Sequence, residues 1–254
     1  MLKTNWIDHL HNFRERELAI TFKEINSKFN KGLELGAGDG FQSKLLIKYI
    51  NNLIATNLNK ERLPSSSTHL NIQYKVLDAE ELEKHFEENS FDIVFSSNLM
   101  EHLPNVRDCF VGIHKILKDD GIAIHIMPSP GWRFFATILH FPNKIANGIS
   151  KIFRWEKRKL KKGNNLKLNR SERSKINKFF IPKPHGISRN SMVEFFAFRQ
   201  SKWVSDFEAT GFKIVKIKKG PVSSGYGFGW DSIRTILEKT GVATEYIYFV
   251  KKNR

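Results

Sequence analysis

The chain has 254 residues, long enough for one α/β domain with an insertion, and 40% of them are hydrophobic. The chain has a single cysteine, Cys109, so an internal disulfide is excluded. Cys109 lies in a predicted helix, and we expect its side chain in the hydrophobic core. No run reaches the roughly 18 apolar residues of a transmembrane helix, and residues 1–9 lack the apolar region of a signal peptide. We therefore expect a cytoplasmic protein.

The net charge of +16 is unevenly distributed along the chain. Residues 151–183 contain 13 lysines and arginines but only two acids, Glu156 and Glu172. This segment therefore carries +11, and the rest of the chain only +5. One basic segment makes the protein basic, so a phosphorylated or otherwise anionic partner is expected there.

Apolar strand candidates alternate with helical stretches through the first half of the chain. Residues 1–30 carry apolar side chains at helical intervals, which predicts a helix. Strands are predicted at Gly32–Leu35, Asn52–Asn57, Ile72–Leu77, Phe91–Ser96 and Gly121–Met127. Helices are predicted at Phe41–Ile50, Glu80–Glu87 and Asn105–Leu117, with a short turn at Asn59–Leu63. Such alternation is typical of a parallel sheet with helices on both faces.

The alternation stops at residue 129 and resumes near residue 200. A predicted helix, Ser201–Thr210, is followed by predicted strands Phe212–Lys218 and Glu245–Lys251. The sequence thus predicts an α/β fold with a Rossmann-like, seven-stranded sheet and a helical, basic insertion after the fifth strand. Its predicted parts are an N-terminal helical segment (1–30), a cofactor-binding half (31–128), an insertion (129–199) and the C-terminal part of the α/β domain (200–254).

Glycines mark the junction after the first predicted strand, in the order Glu34, Gly36, Gly38, Gly40. Glycine lets the backbone turn tightly and lets a ligand lie against the main chain. The helix that follows would direct its free N–H groups to the same place. The spacing E-x-G-x-G-x-G differs from the dinucleotide fingerprint G-x-G-x-x-G. The junction therefore predicts a nucleotide-type cofactor other than a dinucleotide.

Four later motifs occur in a fixed order after the glycines. Asn57 lies 21 residues after Gly36, at the end of the second predicted strand. Asp78-Ala79 follows the third, and Ser96-Ser-Asn98 with Glu101-His102 follows the fourth. The turn Leu117-Lys-Asp-Asp-Gly121 precedes the fifth. With the glycines, these motifs resemble those of class I S-adenosylmethionine (SAM)-dependent methyltransferases of the small-molecule type.

The resemblance implies that SAM is the cofactor, and it assigns the residues that would bind it. Asn57 takes the place of the acid that usually binds the ribose hydroxyls, and it offers one neutral acceptor oxygen. Asp78 and Ala79 would contact adenine, and Glu34 either holds the methionine end or caps the glycine loop. The implied cofactor-binding residues are Glu34, Gly36, Ala37, Gly38, Asn57, Asp78, Ala79, Ser96 and Asn98.

Two histidines are candidates for a general base. His102 follows the fourth predicted strand, at the sheet edge where ligands bind, and its alternative role is structural. His185 lies in Pro182-Lys-Pro-His-Gly186, a rigid turn that would present a side chain or simply lie at the surface. His125, in mid-strand, is expected in the core. In ubiquinone-type O-methyltransferases a similar E-x-x-E-H stretch binds a metal, but Asn98 replaces the first acid here, so no metal is predicted.

The insertion leaves several functions open. Its aromatic and basic parts could form a lid on a phosphorylated substrate, a patch that contacts an anionic membrane through residues 132–183, an RNA-binding surface or a merely solvated surface. The order of motifs, with Pro-His-Gly and a late glycine-rich loop (Gly220–Trp230), resembles that of bacterial methyltransferases of surface-polysaccharide assembly. We therefore expect methylation of a small molecule, an oxygen of a sugar or of a phosphorylated or nucleotide-linked intermediate of capsule or O-antigen synthesis. The alternatives are an RNA methyltransferase and a non-catalytic partner- or membrane-binding protein.

Overall fold

Seven strands form one sheet in the computed structural model of the chain, which describes residues 5–65, 69–140, 191–223 and 231–253. The strand order is β3-β2-β1-β4-β5-β7-β6. The strands are β1 (Phe29–Leu35), β2 (Ile50–Asn57), β3 (Ile72–Val76), β4 (Phe91–Ser97), β5 (Leu117–Pro128), β6 (Phe212–Lys219) and β7 (Glu245–Lys252). Strands β1 to β5 pair in parallel, and β7 runs antiparallel between β5 and β6.

Helices cover both faces of the sheet. They are α1 (Trp6–Phe22), α2 (Phe41–Leu46), α3 (Val106–Ile116), α4 (residues 130–140), α5 (Ser191–Ala197), α6 (Gln200–Ala209) and α7 (Asp231–Lys239). The predicted α/β class and Rossmann-like sheet are confirmed. The basic segment 151–183, the candidate base His185 and the core of the glycine-rich loop (224–230) lie outside the described residues.

Alternating strand residues supply two separate cores, because successive side chains of a strand point to opposite faces. On one face, Val94 and Tyr248 pack with side chains of α3 and α6 such as Phe110 and Phe207. On the other face, Phe95 packs with side chains of α1 and α2, and with neighbouring isoleucines of β5 and β7. Cys109 is fully buried in the first core, and burial raises the pKa of its thiol, which confirms its expected core position.

Several elements are shorter or longer than predicted. The N-terminal helix ends at Phe22, because β1 already begins at Phe29 and pairs with Ile50. For the same reason α2 has six residues and β2 begins at Ile50, which was predicted to end a helix. The predicted helix Glu80–Glu87 is wrong: only a 3-10 turn, Leu82–Lys84, forms there. Strand β5 begins at Leu117, four residues before the predicted Gly121, since Leu117 pairs with Phe91.

The strand order brings the functional motifs to one edge of the sheet. The strand order reverses between β1 and β4: the chain continues from β1 to β2 on one side and from β4 to β5 on the other. Ligands of open α/β sheets bind at such a point. The carboxyl ends of β1, β2 and β4 are in register there, with Leu35 beside Thr56 and Ser96. Because β7 is antiparallel, its first residue, Glu245, lies at this same edge, beside Pro128 of β5.

Candidate active site

The glycine loop after β1 adopts the left-handed conformation that only glycine adopts readily. Gly36, Gly38 and Gly40 have φ angles of 76°, 57° and 73°. A Cβ added to Gly40 would lie 2.5 Å from the Tyr74 hydroxyl, so this glycine is also required by close packing. A Cβ added to Gly38 would meet nothing within 4 Å. The backbone at Gly38 therefore faces open space, as a loop that receives a ligand should.

Helix α1 lies against this loop. His11 Nε2 is 2.9 Å from Asp39 Oδ2, and the His11 ring stacks on Phe41 at 3.7 Å between centroids. Asp39 also accepts a hydrogen bond from the Phe41 N–H, which starts α2. One polar link and one stacked ring thus hold the N-terminal helix over the loop, a role that the sequence did not indicate for residues 1–30.

Glu34 is buried beneath the loop and binds a neighbouring helix. Its carboxylate accepts a hydrogen bond from Ser43 Oγ of α2 at 2.5 Å, and the residue is 2% exposed. Burial raises the pKa of Glu34 to about 7, against the lowering effect of Ser43 and Arg14. In the structure Glu34 thus joins β1 to α2 through Ser43, which differs from the cap of the glycine loop that the sequence left open, since α2 follows its N-cap residue Gly40 without a side-chain cap. Its contact with the methionine end of SAM stays a prediction.

The residues after β2 and β3 form two similar turns at the same edge. Asn57 Oδ1 accepts from the Asn59 N–H at 2.9 Å, and Asp78 Oδ1 accepts from the Glu80 N–H at 3.0 Å. Such turns fix the orientation of the short side chains. The Asp78 carboxylate keeps a second oxygen for a ligand, whereas Asn57 has already used its single acceptor oxygen once. Ala79 follows Asp78 and packs against the core around α3.

Ser96 and Asn98 leave β4 in different directions. The Ser96 hydroxyl is buried and lies 2.8 Å from His125 Nδ1, so only its backbone remains for a cofactor. Burial lowers the pKa of His125 to about 3, and its expected core position is confirmed. Asn98 has a φ of 49°, a conformation uncommon outside glycine, and its N–H donates to Ile126. Its side chain turns towards Ser97 and Glu245.

The neighbouring side chains of Glu101 and His102 differ in their exposure to solvent. The His102 side chain is 41% exposed, and burial together with the charge of Arg62 lowers its pKa. Glu101 points inward with 1% of its side chain exposed, and burial raises its pKa to about 7. Its Oε1 is 3.8 Å from His102 Nε2. His102 therefore faces the β2 side of the edge, and the acid faces the space beneath α1.

A buried polar cluster fills that space, and the sequence did not indicate it. Arg14 Nη1 donates to both carboxylate oxygens of Glu17 at 2.7 Å and to Ser97 Oγ. Glu17 also accepts from Gln42 and from Ser97. The Glu17 side chain is fully buried, so helix α1 presents a charged pair to the sheet where its neighbours Phe13 and Leu18 pack. The signal available was an acid within the apolar stripe of an amphipathic helix.

Glu245 completes this cluster from the first position of β7. Its Oε2 is 3.5 Å from Asn98 Nδ2, and the residue is 3% exposed. Burial, followed by the charge of Glu17, raises its pKa well above 4.5. Gly220 leaves room for it, because a Cβ there would lie 2.4 Å from Glu245 Cγ. Glu17, Glu101 and Glu245 thus lie around Arg14, whose charge acts on the last two.

The insertion begins and ends beside the same cluster. Arg133 of α4 and Glu194 of α5 form an ion pair at 2.9 Å, with 4% and 0% of their side chains exposed. The Glu194 charge also raises the pKa of Glu101. The described residues on either side of positions 141–190 are therefore joined next to the candidate site, where a lid would need to be anchored.

The comparisons with known proteins agree with this geometry. A family model described as a methyltransferase domain matches residues 33–125, the part that holds the glycine loop and the turns after β2, β3 and β4. A SAM-dependent methyltransferase from Archaeoglobus fulgidus superposes with a TM-score of 0.56 at 15% identity, over 98% of this chain and 100% of that one. Residues 33–125 thus match a methyltransferase domain, and the chain has the class I methyltransferase fold.

Two curated methyltransferases share parts of their sequence with this chain. The ubiquinone biosynthesis O-methyltransferase of Glaesserella parasuis is 29% identical over 136 residues, which cover 48% of this chain and 58% of that protein. Phosphoethanolamine N-methyltransferase 2 of Caenorhabditis elegans is 38% identical over 61 residues, or 24% of this chain and 14% of its own. The match covers less than two thirds of either relative.

The residues of the chain fit SAM as the cofactor. The space beside Gly38 would admit it against the main chain, and the free oxygen of Asp78 lies at the same edge. Within the described ranges, no group of three or more His, Cys, Asp or Glu side chains could hold a metal ion. No helix in that part of the chain is long and apolar enough to cross a membrane.

Proposed function

We propose that the protein transfers a methyl group from SAM to a small-molecule acceptor. The proposal rests on the left-handed backbone at Gly38, which faces open space. This backbone lies at the same edge of the sheet as the turns at Asn57 and Asp78. When bound, SAM supplies a methyl group on a positively charged sulfur, which needs no further activation. The protein must then orient the two reactants, exclude water and, for a hydroxyl acceptor, accept a proton.

Each of these tasks has candidate residues in the chain. We assign the backbone of Gly36, Ala37 and Gly38 to the methionine end, and Asp78 with Ala79 to adenine. Asn57 would bind the ribose, and its neutral amide makes this a weaker contact than a carboxylate would. Helix α1 covers the edge through the His11–Asp39 link, which would exclude water from the bound cofactor.

For the acceptor we propose an oxygen of a sugar or of a phosphorylated or nucleotide-linked intermediate of surface-polysaccharide synthesis. This rests on the sequence pattern and on the basic insertion, whose charge would suit a phosphate. The names of the two curated relatives support a small molecule as the acceptor. For the same reason we place RNA second, and peripheral contact with anionic membrane stays a proposal for residues 132–183.

Transfer of tritium from methyl-labelled SAM tests the proposal. The acceptors would be a set of nucleotide sugars, a set of sugar phosphates and total RNA. We expect labelled sugar product and no labelled RNA. Label in RNA, with binding that falls steeply as salt rises, would instead favour the RNA alternative. Binding of SAM without transfer to any acceptor would favour the non-catalytic alternative.

A further inference from the structure

One carboxylate oxygen of Glu245 is buried without a hydrogen-bond partner among the described residues. This atom, Oε1, is shielded from water, and the whole residue is 3% exposed. Its sister oxygen lies 3.5 Å from Asn98 Nδ2, and the carboxyl group also has a side-chain hydrogen-bond interaction with Glu17. Leaving a buried polar group unpaired is costly, and more so for a charged one. A buried polar atom without a partner needs an explanation, and at the ligand-binding edge of the sheet a ligand's donor would supply one.

The surroundings leave room for the Glu245 side chain. Gly220 has no Cβ where one would contact both Glu245 Cγ and Glu245 Oε1, at 2.4 and 2.6 Å. Asn98 contacts the carboxylate, and the next residue, Leu99, packs on Gly36 of the cofactor loop. Two consecutive residues thus connect Glu245 with the loop that would hold SAM.

We propose that Glu245 is the general base that takes the proton of an acceptor hydroxyl, which donates its hydrogen bond to Oε1. The inference rests on the proposed function and names the group that the acceptor must present. As the acceptor oxygen bonds to the methyl carbon, the carbon–sulfur bond breaks and its electron pair stays on sulfur. The hydroxyl proton passes to Glu245, which becomes a neutral carboxylic acid.

The charges around Glu245 suit this role. Arg14 and Glu17 of α1 face it with opposite charges, and Asn98 faces it from the end of β4. Burial and the nearby Glu17 raise the pKa of Glu245, which makes its carboxylate a stronger base than that of a free glutamate. His102, the base expected from the sequence, lies on the other side of Glu101 and half in solvent.

The test uses the full chain and needs no knowledge of the natural acceptor. Methyl-labelled SAM is incubated with UDP-N-acetylglucosamine, glucose 1-phosphate or ethanolamine, with buffer alone as the blank. Glu245→Gln keeps the shape of the side chain and removes the base. We expect its kcat to fall at least 100-fold for whichever hydroxyl acceptor reacts. Glu208→Gln, at an exposed carboxylate of α6, is the matched control and should equal the wild type.

Two further readouts separate catalysis from a structural role. S-adenosylhomocysteine should bind Glu245→Gln with the wild-type Kd in calorimetry, and Glu245→Asp should recover part of the activity. The wild-type kcat should rise with pH through a single ionisation that follows the carboxyl ¹³C shift of Glu245 in NMR.

The outcomes are distinguishable. Equal kcat in Glu245→Gln and wild type, a kcat independent of pH between 5 and 9, or no wild-type transfer to any hydroxyl would each overturn the inference. Methylation of ethanolamine alone, unaffected by Glu245→Gln, would also overturn it. Failure of SAM and S-adenosylhomocysteine to bind at all would instead remove the proposed function. If Glu245→Gln does not fold, the wild-type pH profile and Glu245→Asp decide.

Discussion

At the scale of single residues, Asn57 is the position where this chain departs from the usual ribose contact. Its Oδ1 accepts one backbone N–H already, and it carries no charge. Asp at this position would keep that bond and offer a second, charged oxygen to the ribose hydroxyls. We expect Asn57→Asp to tighten SAM binding by about 1 kcal/mol, roughly fivefold in Kd. Calorimetry measures it, and Asn59→Asp is the control, since Asn59 only accepts from the Glu61 N–H. An unchanged Kd in Asn57→Asp would remove Asn57 from the ribose site.

Gly220 is the second residue with a sharp consequence. A Cβ there would overlap Glu245 Cγ, so Gly220→Ala must displace either the carboxylate or the loop. Overpacking of this kind costs about 1–3 kcal/mol of unfolding free energy, which urea denaturation would measure. Gly38→Ala is the matched control, because the added Cβ would meet nothing within 4 Å. This variant should lose stability only because alanine is strained at the positive φ of Gly38. If Gly220→Ala is as stable as the wild type, Glu245 is not held in place by this contact.

At the scale of elements, helix α1 is fastened to the sheet by a buried ion pair. Removing one partner of such a pair leaves the other charge buried, at a cost of about 3–5 kcal/mol. Glu17→Leu should therefore be strongly destabilised, because Arg14 would keep only Ser97 Oγ among its described partners. The double variant Arg14→Leu with Glu17→Leu should recover part of that loss. Urea denaturation of the two single variants and the double variant measures the coupling. Additive losses would contradict a coupled pair.

The element pattern was largely predictable, and its errors have physical causes. Each of the seven predicted strands is present, because alternating or continuous apolar runs identify buried strands directly. The helix predicted over 80–87 fails because Asp78 closes a turn on Glu80 and only the Leu82–Lys84 turn remains. The short α2 could not be foreseen, since Ile47 and Ile50 suit a helix as well as a strand.

The cofactor side of the site was predicted from spacing, but the acceptor side was not. Glycines and short acids after strands are recognisable in a sequence, because local turns require them. Glu17 and Glu245 meet only through the antiparallel placement of β7 next to β5. Nothing local in either segment specifies that contact, and charged residues are ordinarily expected at the surface. Their meeting at Arg14 could be read only from the fold.

At the scale of the whole molecule, buried acids make stability depend on pH. Burial raises the pKa of both Glu34 and Glu101 to about 7, so the folded state binds protons more tightly than the unfolded state. The stability that they contribute is complete below about pH 4.5 and is lost as the pH rises through 7. For Glu101→Gln, which cannot ionise, the unfolding free energy relative to wild type should increase by roughly 1–3 kcal/mol between pH 5 and pH 8.

Urea denaturation at the two pH values measures that difference. The exposed Glu208→Gln variant should follow the wild type at both. A constant difference between Glu101→Gln and wild type across the pH range would show that Glu101 titrates as it does in the unfolded chain.

We assign the carboxyl edge of β1 to β4 to the binding of SAM. Calorimetric titration of SAM into the full chain tests it most directly, with Asp78→Ala and the control Asp120→Ala, whose exposed carboxylate lies near the start of β5. We predict one SAM per chain and a loss of 1–3 kcal/mol in Asp78→Ala, about 5- to 150-fold in Kd, with no change in Asp120→Ala. No binding at millimolar SAM, or an equal Kd in Asp78→Ala and wild type, would contradict the account.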